Sequence, residues 1–245
     1  MPSAPVKSVE ARVVFFNVRG ARFSSLSSWN KNKASVIKRL KRVLNDTSEA
    51  KASLYVLAEC RSREITDILK AFPGYAAVRY ETAGIALMYQ KSKWSPGRKW
   101  VQTYNKGTHG ALISEFTYKA NGVRINLVGA HLVPFAWRQS KRETDMKRLL
   151  TTIDGWNDPT IVALDSNWSK SRNFRDFVKR YGFNVARWDA KKKTRADYRS
   201  TGAFKPGTAI DYMLGNKKVV WRGFTVLMGW GSDHHSHTGQ VTVTQ

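Results

Sequence analysis

Thr160-Ile161-Val162-Ala163-Leu164-Asp165-Ser166-Asn167-Trp168 is the stretch on which the fold turns. Its first five residues are apolar or β-branched and too few for a helix, so they read as a strand buried on both faces. The run passes straight into Asp165 and Asn167. Side chains two apart on extended backbone face the same way, so the acid and the amide can meet one ligand. An Asx-turn leading into a helix after Ser171 explains the same residues with no ligand at all.

Outward from this stretch the pattern recurs. Phe15-Phe16-Asn17-Val18-Arg19 ends an apolar run with an amide and a cation, as a turn asparagine also would. Val56-Leu57-Ala58-Glu59-Cys60-Arg61 closes an apolar strand with a glutamate, which costs free energy there unless it is paired or metal-bound. A salt bridge to Arg61 or another base is the plain alternative. Asn126 to Leu132 ends in His131, which a satisfied core histidine would explain. Ala209-Ile210-Asp211-Tyr212-Met213-Leu214 embeds an acid in an apolar strand, and Trp230 to His237 carries Ser232, Asp233, His234, His235 and His237. The second is otherwise a His-rich turn. Together these segments suit a hard cation with oxygen ligands beside an acid/base pair: Mg²⁺ or Mn²⁺, with Ca²⁺ as a third candidate. Zinc fits less well, because Cys60 is the only cysteine and no helical His pair is closely spaced.

The apolar runs predict strands over Ala11–Val18, Leu54–Ala58, Ala76–Tyr80, Gly84–Gln90, Ala111–Tyr118, Val123–His131, Thr160–Leu164, Thr208–Leu214, Val219–Met228 and Gln240–Thr244. Helical spacing predicts helices over Ser28–Leu44, Arg61–Phe72, Arg138–Ile153 and Asn173–Tyr181. Strands with helices between only some of them imply two packed sheets with helices outside. At 245 residues the chain suits one domain over 11–245 behind a loose tail over 1–10.

Charge narrows the partner. Forty-two Lys and Arg against 18 Asp and Glu leave a net +24, which a polyanion offsets through counterion release. Basic stretches at Lys31–Arg42, Lys91–Lys99, Arg138–Arg148, Lys170–Arg180 and Lys191–Arg199 can line a groove, or can be solvated faces. No run of about 18 apolar residues exists to span a membrane. The polar N-terminus and single cysteine point to an intracellular, cytoplasmic protein.

Taken in order, the six segments resemble the endonuclease/exonuclease/phosphatase superfamily, and most closely its pancreatic deoxyribonuclease type, from about Arg12 to the C-terminus. Asn17 and Glu59, each with an arginine two positions on (Arg19, Arg61), match the family's strand-ending asparagine and metal-binding glutamate. His131, Asp165-x-Asn167, Ile210-Asp211-Tyr212 and Ser232-Asp233-His234 match the remaining elements. Ala58 stands where members often carry Gln, and the two disulfides of secreted relatives are absent.

The resemblance implies a four-layer αββα sandwich of two mainly antiparallel sheets flanked by helices. It implies a metal held by Glu59, Asn17 and Asp233. His131, His234, Asp165, Asp211 and Asn167 take catalytic roles, and Arg19, Arg61, Asn167 and Tyr212 bind substrate. Glu81 supports His131 by rough alignment. The expected activity is Mg²⁺-dependent nicking of nucleic acid, DNA before RNA, by a monomer. Phosphatase or phospholipid phosphodiesterase activity on the same fold, or nucleic-acid binding without catalysis, are the alternatives.

Overall fold

The computed structural model describes residues 6–18, 26–45, 53–134, 138–168, 171–190, 192–193, 210–227, 234 and 236–245. In chain order the elements are β1 (Ser8–Asn17), α1 (Leu26–Asn45), β2 (Leu54–Ala58), α2 (Ser62–Ala71), β3 (Tyr75–Tyr80), β4 (Ile85–Gln90) and β5 (Trp94–Tyr104). There follow β6 (His109–Tyr118), β7 (Arg124–His131), α3 (Gln139–Asp154), β8 (Thr160–Asp165), α4 (Ser171–Lys179), β9 (Asn184–Val185) and α5 (Ala186–Asp189). The chain closes with β10 (Lys192–Lys193), β11 (Asp211–Gly215), β12 (Val219–Leu227) and β13 (Ser236–Thr244).

These strands form a seven-stranded sheet, ordered β10-β12-β13-β1-β2-β4-β3, and a six-stranded sheet, ordered β5-β6-β7-β8-β11-β9. Most pairings are antiparallel; β1 with β2, β10 with β12 and β7 with β8 are parallel. Residue parity then builds three cores. Val13, Phe15, Val56, Leu87, Leu127, Ile161, Ala163 and Met213 meet between the sheets. Val14, Phe16, Tyr55 and Leu57 face α1 and α2, with Trp29, Val36, Leu40, Ile65 and Ile68. Val128, Ala130, Val162, Leu164 and Leu214 face α3 and α4, with Met146, Leu149, Leu150, Phe174 and Val178. The central strands are buried on both sides, which is why their sequences read as unbroken apolar runs. The architecture is the expected α/β sandwich of four layers.

Gly129 lets the sheets approach closely. A Cβ there would stand 2.7 Å from Ile85 Cγ2 and 2.8 Å from Val56 Cγ1, both on the facing sheet.

Three expectations change. Ser8 to Glu10, placed in the tail, belong to β1 and pair with Thr244 to Thr242. The basic stretch Lys91–Lys99 enters an unexpected strand, β5, which runs along the edge of the six-stranded sheet. Pro96, Gly97 and its cations read as loop, but on this edge strand residues 96–101 are all exposed, so Pro and Lys are tolerated, and a bulge between Pro96 and Lys99 absorbs them. Asp211 opens β11 and is not embedded within it. Among the described residues no helix is long and apolar enough to cross a membrane.

Candidate active site

Strand register brings the candidate residues together. His131 of β7 stands level with Asp165 of β8, and Asp165 with Asp211 of β11. Neighbouring strands lie about 4.8 Å apart, so three polar side chains sit in a row at one end of the sheet. Each also continues the inward parity of its strand: Leu127 to His131, Ile161 and Ala163 to Asp165, Met213 to Asp211. On the facing sheet Val13 and Phe15 lead in the same way to Asn17. All four therefore point into the gap between the sheets just where the apolar filling stops.

The contacts close that gap. Asn17 Nδ2 donates to Glu59 Oε1 at 3.0 Å and, across the sheets, to Asp165 Oδ2 at 3.1 Å. His131 Nε2 and His234 Nε2 lie 3.8 and 3.7 Å from that same Asp165 oxygen. His234 Nδ1 is 2.8 Å from Asp211 Oδ2. Ligand atoms of Glu59, His131 and Asp165 all fall within 4.8 Å of one another, as do those of Asp165, Asp211 and His234. Asp165 and Asp211 are 2% and 1% exposed. In a chain of net charge +24, no Lys or Arg among the described residues pairs with Asp165. Buried carboxylates facing imidazoles and an amide could hold a metal ion, whose charge would offset their desolvation.

Asp165 makes the Asx-turn with one oxygen and turns the other to the cluster. Its Oδ1 accepts from the Asn167 backbone N–H at 3.0 Å, an Asx-type turn, while Oδ2 faces the cluster. Asn167 is thereby turned, and its Nδ2 donates to Leu132 O at 2.9 Å, tying the β8 loop to the β7 loop.

The backbone is strained at two of these residues. Glu59 has φ 50° and Asn167 φ 51°. Asn tolerates this left-handed region, whereas for Glu it costs about 1–2 kcal/mol. Gly84, itself at φ 63°, holds the Glu59 turn by accepting from the Cys60 N–H at 2.7 Å.

Two arginines and one histidine enter in ways the sequence did not announce. Arg39 of α1, read within a polyanion-lining stretch, is buried. Its guanidinium lies over the Phe16 ring at 4.8 Å, and Nη1 donates to His234 O at 3.0 Å. Burial, reinforced by Arg42, lowers its pKa to about 10. Arg142, from another such stretch, is also buried and donates to Val133 O and Gln139 Oε1. His109 packs against His131 with ring centroids 4.7 Å apart, and its Nδ1 lies 2.9 Å from Thr108 Oγ1. Burial, then the nearby His131 and Arg138, outweigh the pull of Asp165 and hold His109 down at about 4, so it is neutral at ordinary pH. Only the pairing of Gly110 with His131 reveals its position, a long-range fact that no local motif carries.

Of the other expected residues, Tyr212 turns away from this cluster, and Glu81 and Arg61 are exposed. Tyr212 has outward parity; it is buried, stacks on Phe174 at 4.1 Å and donates to Trp168 O at 3.4 Å. Glu81 is exposed in the turn before β4, and no contact joins it to His131. Arg61 is exposed, with its N–H capped by Glu64 Oε2 at 3.0 Å. Arg19 and Asp233 fall outside the described residues.

No protein-family model matches the sequence, and no curated protein matches it. Solved structures do. An endonuclease/exonuclease/phosphatase from Bacteroides vulgatus superposes with a TM-score of 0.79 at 17% identity, over 96% of this chain and 99% of that one. A mannosyl-6-phosphatase from Bacteroides thetaiotaomicron gives 0.75 at 14%, over 94% and 99%. D. rerio TDP2 complexed with single strand DNA product gives 0.72 at 13%, over 95% and 98%. At these identities the likeness is one of fold.

Proposed function

We propose that the chain is a divalent-metal-dependent phosphodiesterase that hydrolyses the nucleic-acid backbone, nicking DNA with little sequence preference, as the resemblance to the pancreatic deoxyribonuclease type implies. The observation that carries this reading is the convergence of Asn17, Glu59, His131, Asp165, Asp211 and His234 on one end of the sandwich. The oxygen-rich donor set suits Mg²⁺ or Mn²⁺. Glu59 and Asn17 would hold the ion, with Asp233 as a further candidate ligand. When bound, it supplies Lewis-acid stabilisation of charge on a non-bridging phosphate oxygen.

The remaining steps belong to side chains. Asp211 accepts the Nδ1–H of His234, and Nε2, 3.7 Å from Asp165, takes a proton from the attacking water. Asp165, within 3.8 Å of both imidazoles, orients that water, and Asn167 positions the scissile phosphate. His131 donates a proton to the departing 3′-oxygen. The net charge of +24 favours a nucleic acid, and the Asn17-x-Arg19 and Glu59-x-Arg61 likeness and a fold neighbour complexed with single strand DNA product favour DNA. The mannosyl-6-phosphatase neighbour supports a second reading, a phosphomonoesterase on the same centre.

Supercoiled plasmid in Mg²⁺ tests the proposal, with EDTA and Glu59→Ala as controls. Nicking that requires both the metal and Glu59 is expected, and its rate should fall more than tenfold between about 50 and 200 mM salt at limiting DNA. Intact plasmid together with rapid hydrolysis of small phosphomonoesters would favour the phosphatase instead.

A further inference from the structure

At the far end of the six-stranded sheet lies a cavity of about 410 Å³ that takes no part in the chemistry above. Three segments build it: the end of α3 with Trp156 and Asn157, the Arg180–Phe183 turn between α4 and β9, and the Asn216–Lys218 turn between β11 and β12. Along β8 and β11 the Asp165–Asp211 pair marks the active end, and Ile161–Gly215 the cavity end. Four residue steps of strand separate them, roughly 13 Å.

The lining combines two chemistries. Ile153 and Phe183 make a buried apolar floor, and the half-buried rings of Trp156 and Tyr181 rise beside it. Arg98, itself fixed by Glu115 at 2.8 Å, lies over the Trp156 ring at 4.8 Å and holds it in place. Arg180, Lys217 and Lys218 are exposed at the rim, against one acid, Asp154. Lys218 Nζ is engaged by Asn157 O. Arg180 and Lys217 pair with no carboxylate among the described residues. Arg180 also lies over the Phe177 ring at 5.2 Å. Two cations with no carboxylate partner, beside aromatic faces, bind an anion joined to a planar ring, by charge and by stacking. The volume lies in the range of small-ligand pockets.

The geometry points to a second, non-catalytic binding site here for a nucleotide: a phosphate on Arg180 and Lys217, a base against Trp156 and Tyr181, and Asp154 accepting from an amino or hydroxyl group. The ligand is either a free nucleoside monophosphate or the terminal nucleotide of a strand, which present the same groups. The site stands whether the active end cleaves diesters or monoesters.

The test is amide and indole NMR of the full chain in EDTA, titrated separately with AMP, adenosine, inorganic phosphate and a 5′-phosphorylated oligodeoxynucleotide. AMP should shift Gly182, Asn216 and the Trp156 indole, and the Arg180→Gln/Lys217→Gln double variant should weaken that binding at least tenfold. Equal shifts from inorganic phosphate alone would overturn the nucleotide assignment. Tighter binding of the oligonucleotide than of AMP would assign the site to strand ends, and the reverse to free nucleotide. No shift at these residues with millimolar AMP or oligonucleotide would overturn the site.

Discussion

The two ends of β8 and β11 share one backbone ladder and carry opposite chemistry. At the base Ile161 faces Gly215, and the chain turns through Asn216 to Lys218. Asn216 satisfies its own turn there, accepting from Lys218 N–H at 3.2 Å and donating to Asp158 O at 3.1 Å. At the other end Asp165 faces Asp211, both buried, and only one oxygen of Asp165 serves a turn. Asn and Asp at strand ends are thus turn residues at one end and members of a buried polar cluster at the other. Burial, inward parity and the left-handed backbone of Glu59 and Asn167 separate the two.

Substitutions at the active end should break this asymmetry most severely. His234→Ala, which removes the imidazole facing Asp165 and Asp211, should lower turnover about 10³-fold while the chain still folds, as circular dichroism would show. Near-normal turnover would remove His234 from the chemistry. Arg39→Met tests whether the site depends on a cation buried in α1. Loss of the bond to His234 O should cost on the order of tenfold to a hundredfold in kcat with little change in KM, as expected when a positioning contact is lost. Partial rescue by added guanidinium would separate this loss from general unfolding.

A smaller effect concerns acid stability. His109 titrates at about 4 in the folded chain, against about 6.5 when exposed, so the unfolded chain takes up this proton first. Stability contributed by neutral His109 is complete above about pH 6.5 and declines as pH falls toward 4. His109→Gln should flatten urea-unfolding free energies over that window; an unchanged slope would contradict the buried, neutral assignment. At the base the expected effect on chemistry is nil: Arg180→Gln should leave cleavage of a small chromogenic phosphodiester unchanged.

Much of this was legible in the sequence because the central strands are buried on both faces and read as unbroken apolar runs. The last inward position of each run, Asn17, His131 or Asp165, stands out as polar, and these converge. The rest depended on three dimensions. β5 was hidden because an edge strand whose residues 96–101 are all exposed can carry Pro96, Gly97 and Lys99. Tyr212 sits next to Asp211, yet strand parity turns it to the helix-covered side. Arg39 looked like one more cation on a basic helix, and only packing against Phe16 shows it buried behind His234. His109 owes its place to a strand pairing and not to any motif.

The most direct test of a metal centre spanning the two sheets is an anomalous difference map from crystals soaked in Mn²⁺. A single strong peak roughly 2.1 Å from a Glu59 carboxylate oxygen, on the side facing Asp165, is expected. A site left empty at saturating Mn²⁺, or a peak confined to the histidine-rich segment before β13, would contradict it.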